Sequence, residues 1–360
     1  MDPAGGGDTR SLAEAIEMVL PGGTITLADG THRLAKPLEI TKPVKLAGPG
    51  MDRARVVCSG EGCVVEFWGE GRFAASGITF EHIGDSPADV LVVASGEVEI
   101  ELCRFKRGVW DKAGKRGGDG LWLHGDVWGI VRGCESTRNG LAGIRITGYA
   151  QPTLEANTCR ENRDCGITYS GTASGTARNN DCLNNESHGI YLAEQAQPTL
   201  EANTCRENAR SGIAYWGTAS GTARNNTCAQ NAKNGIYVGE QAQPTLEAKT
   251  CRENKCAGIA YFGEAAGTAR NNDCLNNAGH GIYVGEQAHP RLKGNTPQES
   301  DTGSGWNIGA SIGGAIGAGI GWAIAEAIHA GSGPGIGAAI GFGIGWAIGF
   351  AIGDLIKNSP

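Results

Sequence analysis

GIRITGYAQPTLEANTCRENRDC (Gly143–Cys165) is followed at once by GITYSGTASGTARNNDCLNNESH (Gly166–His188), and the two stretches decide the fold. Gly-Ile-X or a variant recurs at Gly120, Gly143, Gly166, Gly189, Gly212, Gly235, Gly258 and Gly281, every step being 23 residues. Sixteen residues after the glycines stand Cys159, Cys182, Cys205, Cys228, Cys251 and Cys274. Nineteen after them stand Asn139, Asn162, Asn185, Asn208, Asn231, Asn254 and Asn277. Fourteen after them stand Asn157, Asn180, Asn203, Asn226, Lys249, Asn272 and Asn295, one lysine breaking the asparagines. A fixed period of this length is the mark of a solenoid, in which each unit buries its apolar side only against its neighbours. No 3.6-residue apolar periodicity runs through the repeat; GIYV and PTLEA read as short strands between polar bends. Stacked strands place equivalent residues about 4.8 Å apart, so Asn amides can bond along a column. Asn also tolerates the left-handed backbone of sharp bends. The reading is a parallel β-helix with 23-residue rungs.

A second period of 46 residues overlies the first. Rungs with Pro152, Pro198, Pro244 and Pro290 alternate with rungs carrying Arg178, Arg224 and Arg270. One column then reads Glu155, Arg178, Glu201, Arg224, Glu247, Arg270, Lys293. Opposite charges across neighbouring strands help and like charges hurt, so this is expected to be an outward structural ladder and not a catalytic set.

The N-terminal part leads into the coil. Ser11–Leu20 spaces Leu12, Ala15, Ile16, Val19 and Leu20 on one helical face, with Thr9 or Ser11 as cap and Pro21-Gly22-Gly23 as stop. TITLADG, HRLAKPLEI and KPVKLAGPG follow as alternating segments. This order of helix, PGGTITLADGTHRL and KPVKLAGPG, with the later GIYV and NTC rungs, resembles right-handed parallel β-helix proteins of the pectate-lyase-like superfamily over residues 9 to 297. The resemblance implies an all-β, right-handed parallel β-helix with a short capping helix over its open edge. That group includes lyases, esterases, epimerases and non-enzymatic binders, so it implies no one activity.

Net charge is −7, without the basic excess of a nucleic-acid binder. Six of the twelve cysteines fall on the inward column, where side chains point in parallel and disulfide geometry fits poorly. They are expected to be reduced core residues in a cytosolic protein, and no signal peptide is visible at the start.

Residues 106–120 break the register. Loops that leave a regular coil carry function more often than the coil. This stretch and the next rung hold Trp110, Asp111, Lys112, Lys115, Arg116, Asp119, Trp122, His124, Asp126 and Trp128. Strand alternation puts Trp122, Arg145, Thr168, Tyr191, Ala214, Tyr237, Ala260 and Tyr283 in one outward column, with Trp122 and Arg145 as a cation–π pair. The candidate ligand surface is Trp110, Asp119, Trp122, His124, Arg145 and Tyr191, suited to a glycan or a protein. A polysaccharide lyase or hydrolase acting through Asp119 or His124 is the enzymatic rival, although no set matches a catalytic pattern and no catalytic residue is assigned. Neither a metal site nor a cofactor is expected, since no Cys/His cluster has ligand spacing.

The tail is different material. Ile308–Ile328 and Ile336–Ile356 each repeat Ile every fourth residue, beside Gly309, Gly313, Gly317 and Gly321 and then Gly337, Gly341, Gly345 and Gly349. Each run would span about 31 Å as a helix, the depth of a bilayer core. Glycine at every fourth position lets helices approach closely, and the pattern resembles glycine-zipper membrane segments. A helical hairpin at 308–357 is expected, with Pro334-Gly335 at its turn. Insertion and oligomerisation would run through those glycines with Ile316, Ile320, Ile340, Ile344, Trp322 and Trp346. The expected organisation is an N-terminal segment and capping helix at 1–22, the β-helix at 23–297, a linker at 298–307 and the hairpin at 308–357. From this follows a first functional expectation: a non-enzymatic effector in the cytoplasm that inserts into the inner or plasma membrane, self-associates and permeabilises it. Its partners would be lipid, further copies and a regulatory protein. The second expectation is a membrane-tethered module that binds glycan or protein.

Overall fold

The computed structural model describes residues 1–2 and 4–296. The expected linker and glycine-zipper hairpin, with every insertion residue named above, lie outside them. Among the described residues the strands form two parallel sheets, one of 21 strands and one of 10, wound as a right-handed β-helix. The expected register holds without a slip: Ile144 pairs with Ile167, Ile190, Ile213, Ile236, Ile259 and Ile282 in turn. Even the irregular first rungs align, Phe105 on Phe80, their rings 6.0 Å apart and near parallel.

Each rung runs through three strands. Ile-X-X lies on one face of the larger sheet, the PTLE or GTAR segment on its second face, and the Cys segment on the smaller sheet. The glycine that opens each rung is required by close approach. A Cβ on Gly189 would sit 2.6 Å from the Gly212 carbonyl oxygen and 2.8 Å from the Cys205 Cβ.

Two buried asparagine ladders hold the bends. Asn157 donates its backbone N–H and its Nδ2 to Asn180 Oδ1, at 2.9 and 3.0 Å, and Nδ2 also reaches the Val131 carbonyl. Asn162 does the same toward Asn185. These amides satisfy backbone groups that would otherwise be stranded in the core. The expectation that they also supply the left-handed bend needs correction. Positive φ belongs to the residue before the first ladder: Ala156, Asn179, Ala202, Asn225, Ala248 and Asn271. The side-chain amide, not tolerance of φ, selects Asn in the ladder.

The 46-residue period is a packing rule. Where the interior carries Tyr169, Tyr215 or Tyr261, the buried position eight residues on is Ala177, Ala223 or Ala269; where it carries Ile146, Leu192 or Val238, that position is Leu154, Leu200 or Leu246. Large meets small in alternate rungs, so the coil keeps a constant cross-section at close packing. The surface follows suit: Arg178 pairs with Glu155 at 3.1 Å, and Glu247 receives Arg224 at 3.2 Å and Arg270 at 2.9 Å.

The helix is Leu12–Met18, buried through Leu12, Ala15 and Ile16. Ser11 is its N-cap residue but makes no side-chain cap bond, and Thr9 Oγ1 donates instead to the Ser11 carbonyl. Capping by hydroxyl is therefore absent; burial over the first rung fixes the helix. All twelve cysteines are free thiols.

Candidate functional site

The irregular segment folds as a small hairpin with Asp111 bridged to Arg116, and returns to the coil through Gly117 and Gly118. It lies against the following rung so tightly that a side chain at Gly140 would meet the Trp110 backbone nitrogen at 2.7 Å. Its exit delivers Asp119 to the position before the rung glycine.

That position has a recurring task. Asp89 Oδ1 accepts the Asp119 N–H at 2.7 Å, and Asp119 Oδ1 accepts the Ala142 N–H at 3.0 Å. Further along the same column His188 Nδ1 accepts from Ser211, and Asn234 Oδ1 from Ala257. Asp119 is 1 % exposed, and its second oxygen faces Arg145 Nη1 at 3.3 Å. Two carboxyl groups one rung apart thus lie in one column, and the guanidinium pairs with the second of them. Burial first, and then the Asp89 charge, push the Asp119 carboxyl up to about 7 against the pull of Arg145. Burial pushes Asp89 up to about 6.

Arg145 lies with its guanidinium carbon 5.3 Å from the Trp122 ring centroid, the expected cation–π pair. Trp122 donates Nε1–H to Thr147 Oγ1 at 3.0 Å and packs on the His124 ring at 4.4 Å. Burial and the neighbouring Arg145 lower the His124 pKa, favouring the neutral imidazole. Trp122 belongs to the strand Leu121–Arg132, which crosses both faces of the larger sheet without a break. Its outward residues are Trp122, His124, Asp126 and Trp128, with a register irregularity between Leu123 and Asp126. Trp128 is exposed, as is the nearby Tyr149.

Of the expected surface, the structure brings together Asp119, Trp122, His124 and Arg145. Trp110 lies in the hairpin and makes no ring contact with them. Tyr191 is three rungs from Trp122, about 14 Å at the usual strand spacing, and stacks on His188 at 5.6 Å. Sequence reasoning missed Asp89, which stands 30 residues before Asp119 because the hairpin lengthens that rung. It also missed a run of stacked rings in which Trp216, Tyr237, Phe262 and Tyr283 follow each other at 5.1, 5.4 and 5.1 Å. Those rings are half-buried against one another and so serve to hold adjacent rungs together. No group of three or more His, Cys, Asp or Glu among the described residues is placed to hold a metal ion.

Coil, rung register and outward face together define a right-handed parallel β-helix protein. The chain belongs to the family described as right handed beta helix region, whose model matches residues 88–241 and 215–305. Among curated proteins no sequence matches. Solved structures share the fold at low identity. The A-module of the Azotobacter vinelandii mannuronan C-5 epimerase AlgE4 is 16 % identical, over 81 % of this chain and 92 % of that one, with a TM-score of 0.61. The Dettilon tailspike protein gp208 is 14 % identical over 79 % of this chain and 64 % of its own, at 0.60. The periplasmic alginate epimerase AlgG is 11 % identical over 79 % and 82 %, at 0.57.

Proposed function

We propose that this chain is a glycan-binding β-helix, with residues 308–357 as its membrane tether. The observation that carries the binding reading is the outward row Trp122, His124, Asp126 and Trp128, with Arg145 at one end above a buried acid pair. Exposed indole offers a flat apolar surface for a sugar ring, while Arg145, His124 and Asp126 supply donors and acceptors for hydroxyl or carboxylate groups. Of the solved structures that share the fold, one is named as a mannuronan C-5 epimerase and one as an alginate epimerase, which supports a carbohydrate ligand. The test is affinity electrophoresis of the full chain through gels holding neutral and acidic polysaccharides. Retardation by one class, weakened at least tenfold in Trp128→Ala and Arg145→Ala, supports the reading; no retardation by any of them sinks it.

Acid–base chemistry on the same glycan is the second reading. It is favoured by His124, on the outward row and held toward its neutral form by burial and Arg145. Release of reducing ends or of unsaturated sugar, lost in His124→Ala, would support it.

The permeabilising effector has no support among the described residues, where no helix is long and apolar enough to cross a membrane. The tether rests on the Ile/Gly pattern of 308–357. Its test is fractionation with membranes that disappears when residues 305–360 are removed.

A further inference from the structure

Lys249 interrupts the first asparagine ladder, and the interruption has two local consequences. Asn203 N–H and Nδ2 both find Asn226 Oδ1 at 2.9 Å, as the ladder requires. Asn226 has no such acceptor below it: its Nδ2 keeps the usual bond to the carbonyl of the preceding rung, Leu200, turns its other hydrogen to the Arg224 carbonyl, and its N–H loses the side-chain bond its equivalents make. The lysine side chain itself is buried, 1 % exposed, and its Nζ has no hydrogen-bond partner. Two interior hydroxyls of the flanking rungs, Tyr215 Oη and Tyr261 Oη, are likewise without partners.

Lys249 Nζ makes no ion pair with the groups that face it. Glu247 is already held by Arg224 and Arg270. Cys205 and Cys251 are raised well above their ordinary value, and Cys228 between them is lowered, chiefly by the hydrogen bonds of those two neighbours. Burial above all holds Lys249 down to about 7 instead of 10.5. In a stacked coil each rung touches only its neighbours, so the weakest junction decides where the array opens.

We propose that the junction between the rungs of Gly212–Asn234 and Gly235–Ala257 is a built-in joint, at which the coil opens when Lys249 takes up a proton, releasing residues 235–296 as a unit. The sign follows from linkage. Between about pH 10 and 7 the closed joint holds Lys249 neutral while the open one protonates it, so each unit fall in pH makes opening about tenfold easier. Below about 7 both states carry the proton and the dependence ends.

Hydrogen exchange of the full chain, resolved rung by rung at several pH values from 7 to 9 and corrected for intrinsic rates, tests this. The expected result is a step in protection at the 234/235 boundary that deepens about tenfold per pH unit downward. Lys249→Asn restores the acceptor and should erase the step. Lys249→Met should keep a step that no longer varies with pH. Cys228→Ala removes the thiol best placed to compensate the ammonium and should deepen the step. Even protection across the boundary, a gradual decline from the last rung inward, a step that persists in Lys249→Asn, or one that is flat with pH in the unmodified chain would overturn the proposal.

Discussion

Arg145 Nη1 lies 3.3 Å from Asp119 Oδ2 while the same guanidinium sits 5.3 Å from the Trp122 ring. A buried carboxylate therefore holds a half-exposed cation over an indole. Asp119 is best regarded as the residue that positions Arg145, and the exposed side chains as those that meet a ligand. Asp119→Asn keeps an oxygen for the Ala142 N–H but removes the charge. Glycan affinity should fall by about tenfold, and Arg145→Lys should lose about as much, since the planar fork is lost. Titration calorimetry on the polysaccharide found by electrophoresis checks it.

The same carboxylate sets a pH dependence of stability. Its pKa is raised on folding, so between pH 4 and 7 the folded chain binds more protons than the unfolded one. The contribution of this group to stability is then greatest in acid and is lost as pH rises through 7, by at most about 1.4 kcal/mol per unit. His188, held down to about 3 by burial, pulls the other way over the same range, so the Asp119 contribution is read as a difference. In urea unfolding from pH 4 to 7 the native chain should lose stability relative to Asp119→Asn.

The Asn203 side chain makes or accepts four ladder bonds in the middle of the regular rungs. Asn203→Ala leaves buried groups on both sides unsatisfied, at about 1–3 kcal/mol each. A loss of about 3 kcal/mol or more is expected, read as a lower urea midpoint. Asn203→Asp should be little better, since it cannot donate to the Ala177 carbonyl.

Ala202 occupies the left-handed region with φ of 51°. For a residue with a Cβ that conformation costs about 1–2 kcal/mol, which glycine avoids at some entropic cost. Ala202→Gly should be neutral to mildly stabilising by thermal melting, an unusual outcome for a glycine placed next to a strand.

The regular rungs were legible because identical residues recur at one spacing, and a slip would have shown at once. Arg145 over Trp122 was legible for the same reason, both standing third in their rungs. Asp89 was hidden by the hairpin, which alters the spacing on which such reading depends. Trp216 and Phe262 were hidden differently. They stand two residues beyond the outward column that was followed, and they fill it only where that column holds Ala214 or Ala260. Amide bonding along the first asparagine column is legible from its recurrence, but the bend strain falls one residue earlier, where Ala and Asn alternate and no single residue type marks it.

The alternation of Tyr with Ala and Leu with Leu gives the coil a parity. Removing one rung from its middle would bring like charges into register and set two bulky interiors side by side, whereas removing two restores every neighbour. Length in such a molecule changes in pairs: tandem duplication or excision of 46 residues is silent to the remaining structure, and anything by 23 leaves a scar.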